Sequence, residues 1–244
     1  VQALLAVYGF HPDDAEVDVA PWTEGRWEAD LFSVHTLKDA SQKLGTGAAV
    51  GAAVGLVADV ARAEALVEMG GMARALAAAF WPGPLTMVLP RRSDAPIAAA
   101  VSAGLPTLAI RCPDHPVMQA VLRASGLPLA APSANKSGGI SPTEAAHVAA
   151  SLGDAVPLIL DGGPCVRGIE STIIALIQDE AGADIGWRIL RPGPLDPADI
   201  AHVAGVAATE NNSIAIEAPG QLASHYAPSK PVLLNVTHAR EDEF

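Results

Sequence analysis

The sequence predicts an α/β layered domain built on a mixed sheet, and three observations carry that expectation. From about residue 56 onward, short apolar runs of strand length alternate with segments of helix length. Their spacing is uneven, which argues for a mixed sheet and against a regular doubly wound one. Half of the 244 residues are hydrophobic but only 4% are aromatic, so a large core must be built from Ala, Val, Leu and Ile.

The elements read in order as follows. Asp59 is a candidate N-cap for a helix over 60–69, which Gly70-Gly71 breaks. Met72, Leu76 and Phe80 then form one apolar stripe of a second helix. WPGP at 81–84 must turn, because two prolines and a glycine cannot continue that helix. LTMVL (85–89), TLAIR (107–111), PLAAP (128–132), PLILD (157–161), STIIAL (171–176) and WRIL (187–190) read as strands. Helices are expected over 114–125 opening at Asp114, over 142–152 opening at Ser141, and over 196–204 opening at Asp196.

The ends of the chain differ from this middle. Residues 1–54 hold five of the ten aromatics and eight acidic residues against three basic ones. Within them LGTGAAVGAAVG has GxGxxxG spacing and no strand run leading in, so it reads as a flexible or small-residue helical segment, not a dinucleotide loop. After residue 205 a polar stretch and the proline-rich APGQLASHYAPSKP read as a linker, and VLLNV begins a further element. The expected organisation is an atypical segment 1–55, a main domain 56–205, a linker 206–231 and the start of another domain at 232–244.

A net charge of −12 argues against non-specific binding to nucleic acid or anionic membranes, while leaving room for a local basic pocket. Cys112 and Cys165 are far apart and form no metal-binding pattern, so both read as free thiols of a reducing compartment. No run approaches the roughly 18–20 apolar residues of a membrane span, and the cytoplasm is the expected location.

Chemistry concentrates in APSANKSGGISPTEAA (131–146). Ser141-Pro142-Thr143-Glu144 reads as a capping box with proline at the first helical position. Ser133, Asn135 and the Lys136–Gly139 loop stand directly before it, so hydroxyl, amide and backbone donors gather beside an anion-friendly helix start. A phosphate cradle and a plain strand–loop–helix connection both fit this pattern. Arg111 and Arg191 each end a strand, where a guanidinium suits a carboxylate or phosphate ligand, or pairs with a surface acid. Asp114 and His115 read as helix-start residues, and no Ser–His–Asp order or carboxylate pair points to hydrolysis.

FWPGPLTMVL, LAIRCPDHP, LAAPSANKSGGISPT, LILDGGPCVRGIESTI, ILRPGPL and SHYAP, in this order, resemble the threonylcarbamoyl-AMP synthase family of YrdC-like proteins. The SHYAP linker is similar to that of the longer form, which carries an additional C-terminal domain. The resemblance implies a twisted, mixed open sheet with flanking helices around a central, positively charged cavity. It implies a nucleotidyltransferase that makes threonylcarbamoyl-adenylate and pyrophosphate from L-threonine, bicarbonate and ATP with Mg2+. The product would serve tRNA threonylcarbamoyladenosine modification through a separate transferase, with no strong direct tRNA binding by this acidic chain.

Position by position, the resemblance implies that Arg111, Ala131 and Ser171 hold L-threonine. It implies nucleotide contacts at Thr107, Ser133, Asn135, Ser141 and Arg191, and at His225 and Tyr226 in a linker folding over the pocket. No residue is assigned to covalent or acid–base catalysis, and no protein-borne metal ligands are expected. The family's PTET-YGLG segment and its phosphate-gripping Lys-x-Arg motif have no counterpart in residues 1–55, where Lys38 and Lys43 lack the spacing. Losing such a clamp costs on the order of 2–4 kcal/mol per group, so impaired turnover is expected. The alternative is a non-catalytic nucleotide- or RNA-binding module of the same fold.

Overall fold

The structure, a computed structural model, describes residues 4–7, 54–97, 102, 105–131, 133–136, 139–156 and 158–210. Among these, six strands form one mixed sheet and two more form a separate antiparallel ladder. The sheet strands are β2 (Val54–Leu56), β3 (Leu85–Pro90), β4 (Thr107–Arg111), β5 (Leu129–Ala131), β7 (Thr172–Gln178) and β8 (Asp184–Arg191). Their order is β5-β2-β4-β3-β7-β8, with β2–β4 and β3–β7 parallel and the other neighbours antiparallel. The expected mixed sheet is therefore present. β1 (Leu4–Val7) pairs with β6 (Leu158–Asp161) outside it.

Among the described residues five α-helices flank the strands: α1 (Val60–Glu64), α2 (Gly71–Phe80), α3 (Pro116–Ser125), α4 (Ala145–Leu152) and α5 (Pro197–Ala204). The main core lies between α2, α5 and one sheet face. Leu85, Met87 and Leu89 from β3, Leu108 and Ile110 from β4, Ile174 and Trp187 meet Leu76 and Ile200 there. Each such side chain contributes about 2 kcal/mol by leaving water. Leu76 of the predicted stripe is fully buried, while Met72 and Phe80 pack at the margin. The opposite face carries a smaller cluster of Val88, Ala109, Ile173, Ala175 and Leu190, where period-two alternation places it.

Several elements depart from expectation for identifiable reasons. α1 stops at Glu64, not 69, because Val67 forms a bridge to Arg91 and Glu68 N donates to Pro90 O, drawing the chain onto the end of β3. Asp59 does cap α1, accepting from Arg62 N at 2.9 Å. α3 begins at Pro116 with extended His115 as its cap, since the residue before a proline avoids the helical region. β2 takes in residues 54 and 55, read from sequence as part of a flexible segment, and lies between β4 and β5. β8 is longer than WRIL because Asp179 Oδ1 accepts from Ala181 N and Ala183 N, forming a hairpin turn that starts the strand at Asp184. Asp196 caps α5 as expected, accepting from Ala198 N.

Candidate functional site

One edge of the sheet gathers the polar groups. Arg111 ends β4 and Arg191 ends β8, while β3 and β7, running the other way between them, begin there. The register sets Leu85 against Thr172, Met87 against Ile110 and Ile173 against Arg191. Thr86 shares with Val88 the sheet face opposite the main core, and Arg111 shares it with Ala109.

The WPGP turn forms a wall of this edge. Gly83 N donates to Cys112 O at 2.8 Å, which brings Gly83 O within 2.9 Å of Arg111 Nε. A Cβ at Gly83 would stand 2.2 Å from Phe80 O, so the tight turn requires glycine. Arg111 is 7% exposed, and its Nη2 is buried with no acceptor among the described residues. Burial pulls its pKa down to about 10; Asp114 opposes that shift, and the charges of Arg191 and Arg167 add to it. The guanidinium stays charged at neutral pH, buried and under-compensated. Such a group calls for an anion.

Ser171 lies beside it in a segment held from several sides. Arg191 donates to Ser171 O through Nε at 3.1 Å and Nη2 at 2.9 Å, and to Ser171 Oγ through Nη2 at 3.0 Å. A register shift between Ile173 and Ile174 inserts Leu190 between the paired positions Ile189 and Arg191, re-aiming the end of β8. Thr172 N donates to Pro84 O, and Thr172 Oγ1 accepts from Leu195 N. A Cβ at Gly193 would lie 2.3 Å from Thr172 N and 2.7 Å from Glu170 O, so the LRPG turn packs directly on this backbone.

Thr107 shares the face of Arg111 but stands at the other end of β4, about 13 Å away along the strand. β5 leaves the sheet toward that same end, since Ala131 pairs with Val54 while Leu129 pairs with Leu56. Ala131 is half-buried and packs toward α3, two strands from Arg111. Ser133 is exposed. Asn135 is 8% exposed; its Nδ2 donates to Lys136 O and Gly139 O, and its Oδ1 has no partner among the described residues.

The predicted capping box does not form. α4 starts at Ala145 with Glu144 as an N-cap that makes no side-chain bond. Thr143 is drawn elsewhere: its carbonyl accepts from Cys165 N at 2.8 Å, and its N–H meets His147 Nδ1 at 3.4 Å. Ser141 Oγ is consequently buried without a described partner, not bonded to a helix N–H. The Thr143–Cys165 bond ties this segment to the loop that leads into Ser171. Ser137, Gly138, His225 and Tyr226 lie outside the described residues.

The structure thus brings Arg111, Ser171 and Arg191 together, and sets Thr107 and the start of the 131–141 segment toward the far end of the same face. Sequence reasoning missed Thr86, whose hydroxyl lies 2.8 Å from Ser171 Oγ, and the carbonyl of Gly83. A hydroxyl inside the buried run LTMVL was the available signal, because such a group must find a partner. Cys112 and Cys165 are free thiols, the first buried and held by Ala58 O and Gln119 Nε2. No helix among the described residues is long and apolar enough to cross a membrane.

Comparison with known proteins defines the class to which this fold and site belong. The Sua5/YciO/YrdC family model, described as telomere recombination, matches residues 54–193, and the chain belongs to that family. A model of a domain of unknown function matches residues 1–86. The threonylcarbamoyl-AMP synthase of Bacillus subtilis is 41% identical over 184 residues, covering 73% of this chain and 51% of that protein. That of Schizosaccharomyces pombe is 39% identical over 179 residues, covering 68% and 42%. The chain spans about half the length of these curated relatives.

Among solved structures, Pyrococcus abyssi Sua5 complexed with L-threonine superimposes with a TM-score of 0.71 at 35% identity, covering 81% of this chain and 57% of that one. A second structure of that protein is a variant with an adjacent histidine and tyrosine both changed to alanine; its TM-score is 0.68 at 33% identity, covering 77% of this chain and 54% of that one. Escherichia coli YciO, at 20% identity and a TM-score of 0.53, covers 65% of this chain and 75% of its own, and shares the fold.

Proposed function

We propose that the chain carries the adenylate-forming site of an L-threonylcarbamoyladenylate synthase. The observation that carries this reading is the buried Arg111 guanidinium with an open Nη2, set beside the Ser171–Arg191 pair. A relative at 35% identity was solved with L-threonine bound, and the curated relatives are named for this activity.

In this reading the threonine carboxylate meets Arg111, and Ser171 holds the rest of the amino acid. Bicarbonate takes up a proton and breaks to CO2 and water, the threonine amine forms a C–N bond with that CO2, and the proton the amine releases balances the one bicarbonate took up. A carbamate oxygen then attacks the α-phosphorus of ATP; the P–O bond to the β-phosphate breaks and pyrophosphate leaves. Arg191 balances charge on the adenylate side, while Thr107, Ser133, Asn135 and Ser141 line the path along the same face. Catalysis is then positioning and charge neutralisation.

Mg2+ belongs to the nucleotide substrate, whose phosphates carry it. In this reading no step is routed through a protein-bound ion. The sequence has one His-Tyr pair, His225-Tyr226, which in this reading belongs to the linker that folds over the pocket. The product would pass, in the cytoplasm, to a separate transferase acting on tRNA.

Turnover is expected to fall well below that of a chain with the Lys-x-Arg clamp, whose positions fall outside the described residues. The test is mass-spectrometric detection of threonylcarbamoyl-AMP from purified chain with all three substrates. Product that disappears when L-threonine or bicarbonate is omitted supports the reading. AMP binding without product under any condition would favour the non-catalytic nucleotide-binding alternative.

A further inference from the structure

Thr86 is fully buried in β3, and its Oγ1 lies 2.8 Å from Ser171 Oγ. Ser171 Oγ also accepts from Arg191 Nη2 at 3.0 Å. Two hydroxyls share one hydrogen bond here, and either could donate it. Both hydroxyls are buried, Thr86 fully and Ser171 to 3% exposure, so it is position at the site edge, where a ligand can take the Ser171 proton, that decides between the two arrangements. Thr86 has no exposure and no other described hydrogen-bond partner, so if Ser171 donated, the Thr86 proton would be stranded in the protein interior at the full cost of an unmade bond. If Thr86 donates, both lone pairs of Ser171 are filled, one by Thr86 and one by Arg191. The one proton left over is then that of Ser171, beside the edge where Arg111 Nη2 stands open.

We infer that Thr86 is a positioning residue which, with Arg191, makes Ser171 an obligate hydrogen-bond donor toward an anionic or carbonyl oxygen of the bound amino acid. The inference rests on the reading that L-threonine is held at Ser171. The segment around Ser171 is already rigid. Its carbonyl is gripped by Arg191, the next residue is bonded on both its N–H and its hydroxyl, and Gly193 packs against the backbone. A hydroxyl free to rotate could turn either its proton or a lone pair toward the ligand. Filling both lone pairs removes that choice and favours an acceptor over a donor at this point of the ligand.

The test is calorimetric titration of L-threonine into the full chain and its variants, with folding checked by circular dichroism. Thr86→Val keeps the shape and removes the donor, and is expected to weaken threonine binding about tenfold. Thr86→Ser restores the donor and is expected to bind within about twofold of the unaltered chain. In a Ser171→Ala background, Thr86→Val is expected to add no further loss, which a purely structural role would not produce. If Thr86→Val fails to fold, Thr86→Ala, which also removes the donor, replaces it with the same expectation. Undiminished binding by Thr86→Val, or an equal loss with and without Ser171, overturns the inference. No threonine binding by the unaltered chain overturns the underlying functional reading as well, and is told apart because it appears before any substitution is made.

Discussion

Arg191 grips Ser171 twice with one nitrogen: Nη2 donates to the carbonyl at 2.9 Å and to the hydroxyl at 3.0 Å, across twenty residues of chain. The forked guanidinium makes this possible, because its N–H groups diverge in a plane. Lysine offers a single ammonium on a flexible stem. Arg191→Lys is therefore expected to weaken AMP binding at least tenfold, and to weaken threonine binding too, since Ser171 loses a fixed partner. Titrations with each ligand check both losses.

Arg111 is expected to cost stability as it confers binding. Burial draws its pKa down to about 10, a penalty of about 3 kcal/mol on the charged form. The sign follows from proton counts. Below about pH 10 both folded and unfolded chains hold the proton, and the penalty is present in full. Above it the folded chain releases the proton first, so the penalty fades toward the guanidinium's ordinary value. Arg111→Met is expected to raise the unfolding free energy by roughly 1–3 kcal/mol, with the gain constant from pH 6 to 9 and threonine binding lost. Urea unfolding across that range checks it.

Gly193→Ala is expected to cost about 2–4 kcal/mol, because its Cβ would meet backbone atoms at 2.3 and 2.7 Å that no rotamer change can move. The loss should appear in chemical denaturation and in threonine affinity together, since the displaced segment carries Ser171.

Asp184 works at a distance from the site. Its Oδ2 accepts from Ala73 N in the first turn of α2, replacing the side chain that the Gly70 cap lacks, and its Oδ1 accepts from Gln178 Nε2. A Cβ at Gly70 would stand 2.2 Å from that carboxylate. Gly70→Ala is expected to destabilise by about 1 kcal/mol in the natural background and by much less in Asp184→Ala, a non-additivity that thermal melts can measure.

How much of this was legible in sequence depends on how local each determinant is. TLAIR, STIIAL and the α5 start at Asp196 announced themselves because alternation and capping act over a few residues. The capping box at Ser141 failed because a bond from Cys165, some twenty residues on, competes for the Thr143 backbone. β2 was hidden because VGL has too few side chains to show a period, and its strand character comes from being flanked by β4 and β5. At the site, Arg111 and Arg191 are legible as strand-end arginines and Ser171 through the family resemblance, and the structure sets the three at one edge. Their joint geometry was not readable, since Thr86 and Gly83 reach them only through parallel and antiparallel pairings of distant segments.

The most direct test of the central claim is titration of L-threonine into the purified, folded chain and into Arg111→Ala at neutral pH. One threonine bound by the unaltered chain and none by the variant is the predicted result, because the open Nη2 of a buried guanidinium is the proposed carboxylate anchor. Equal binding by both, or no binding by the unaltered chain, would contradict it.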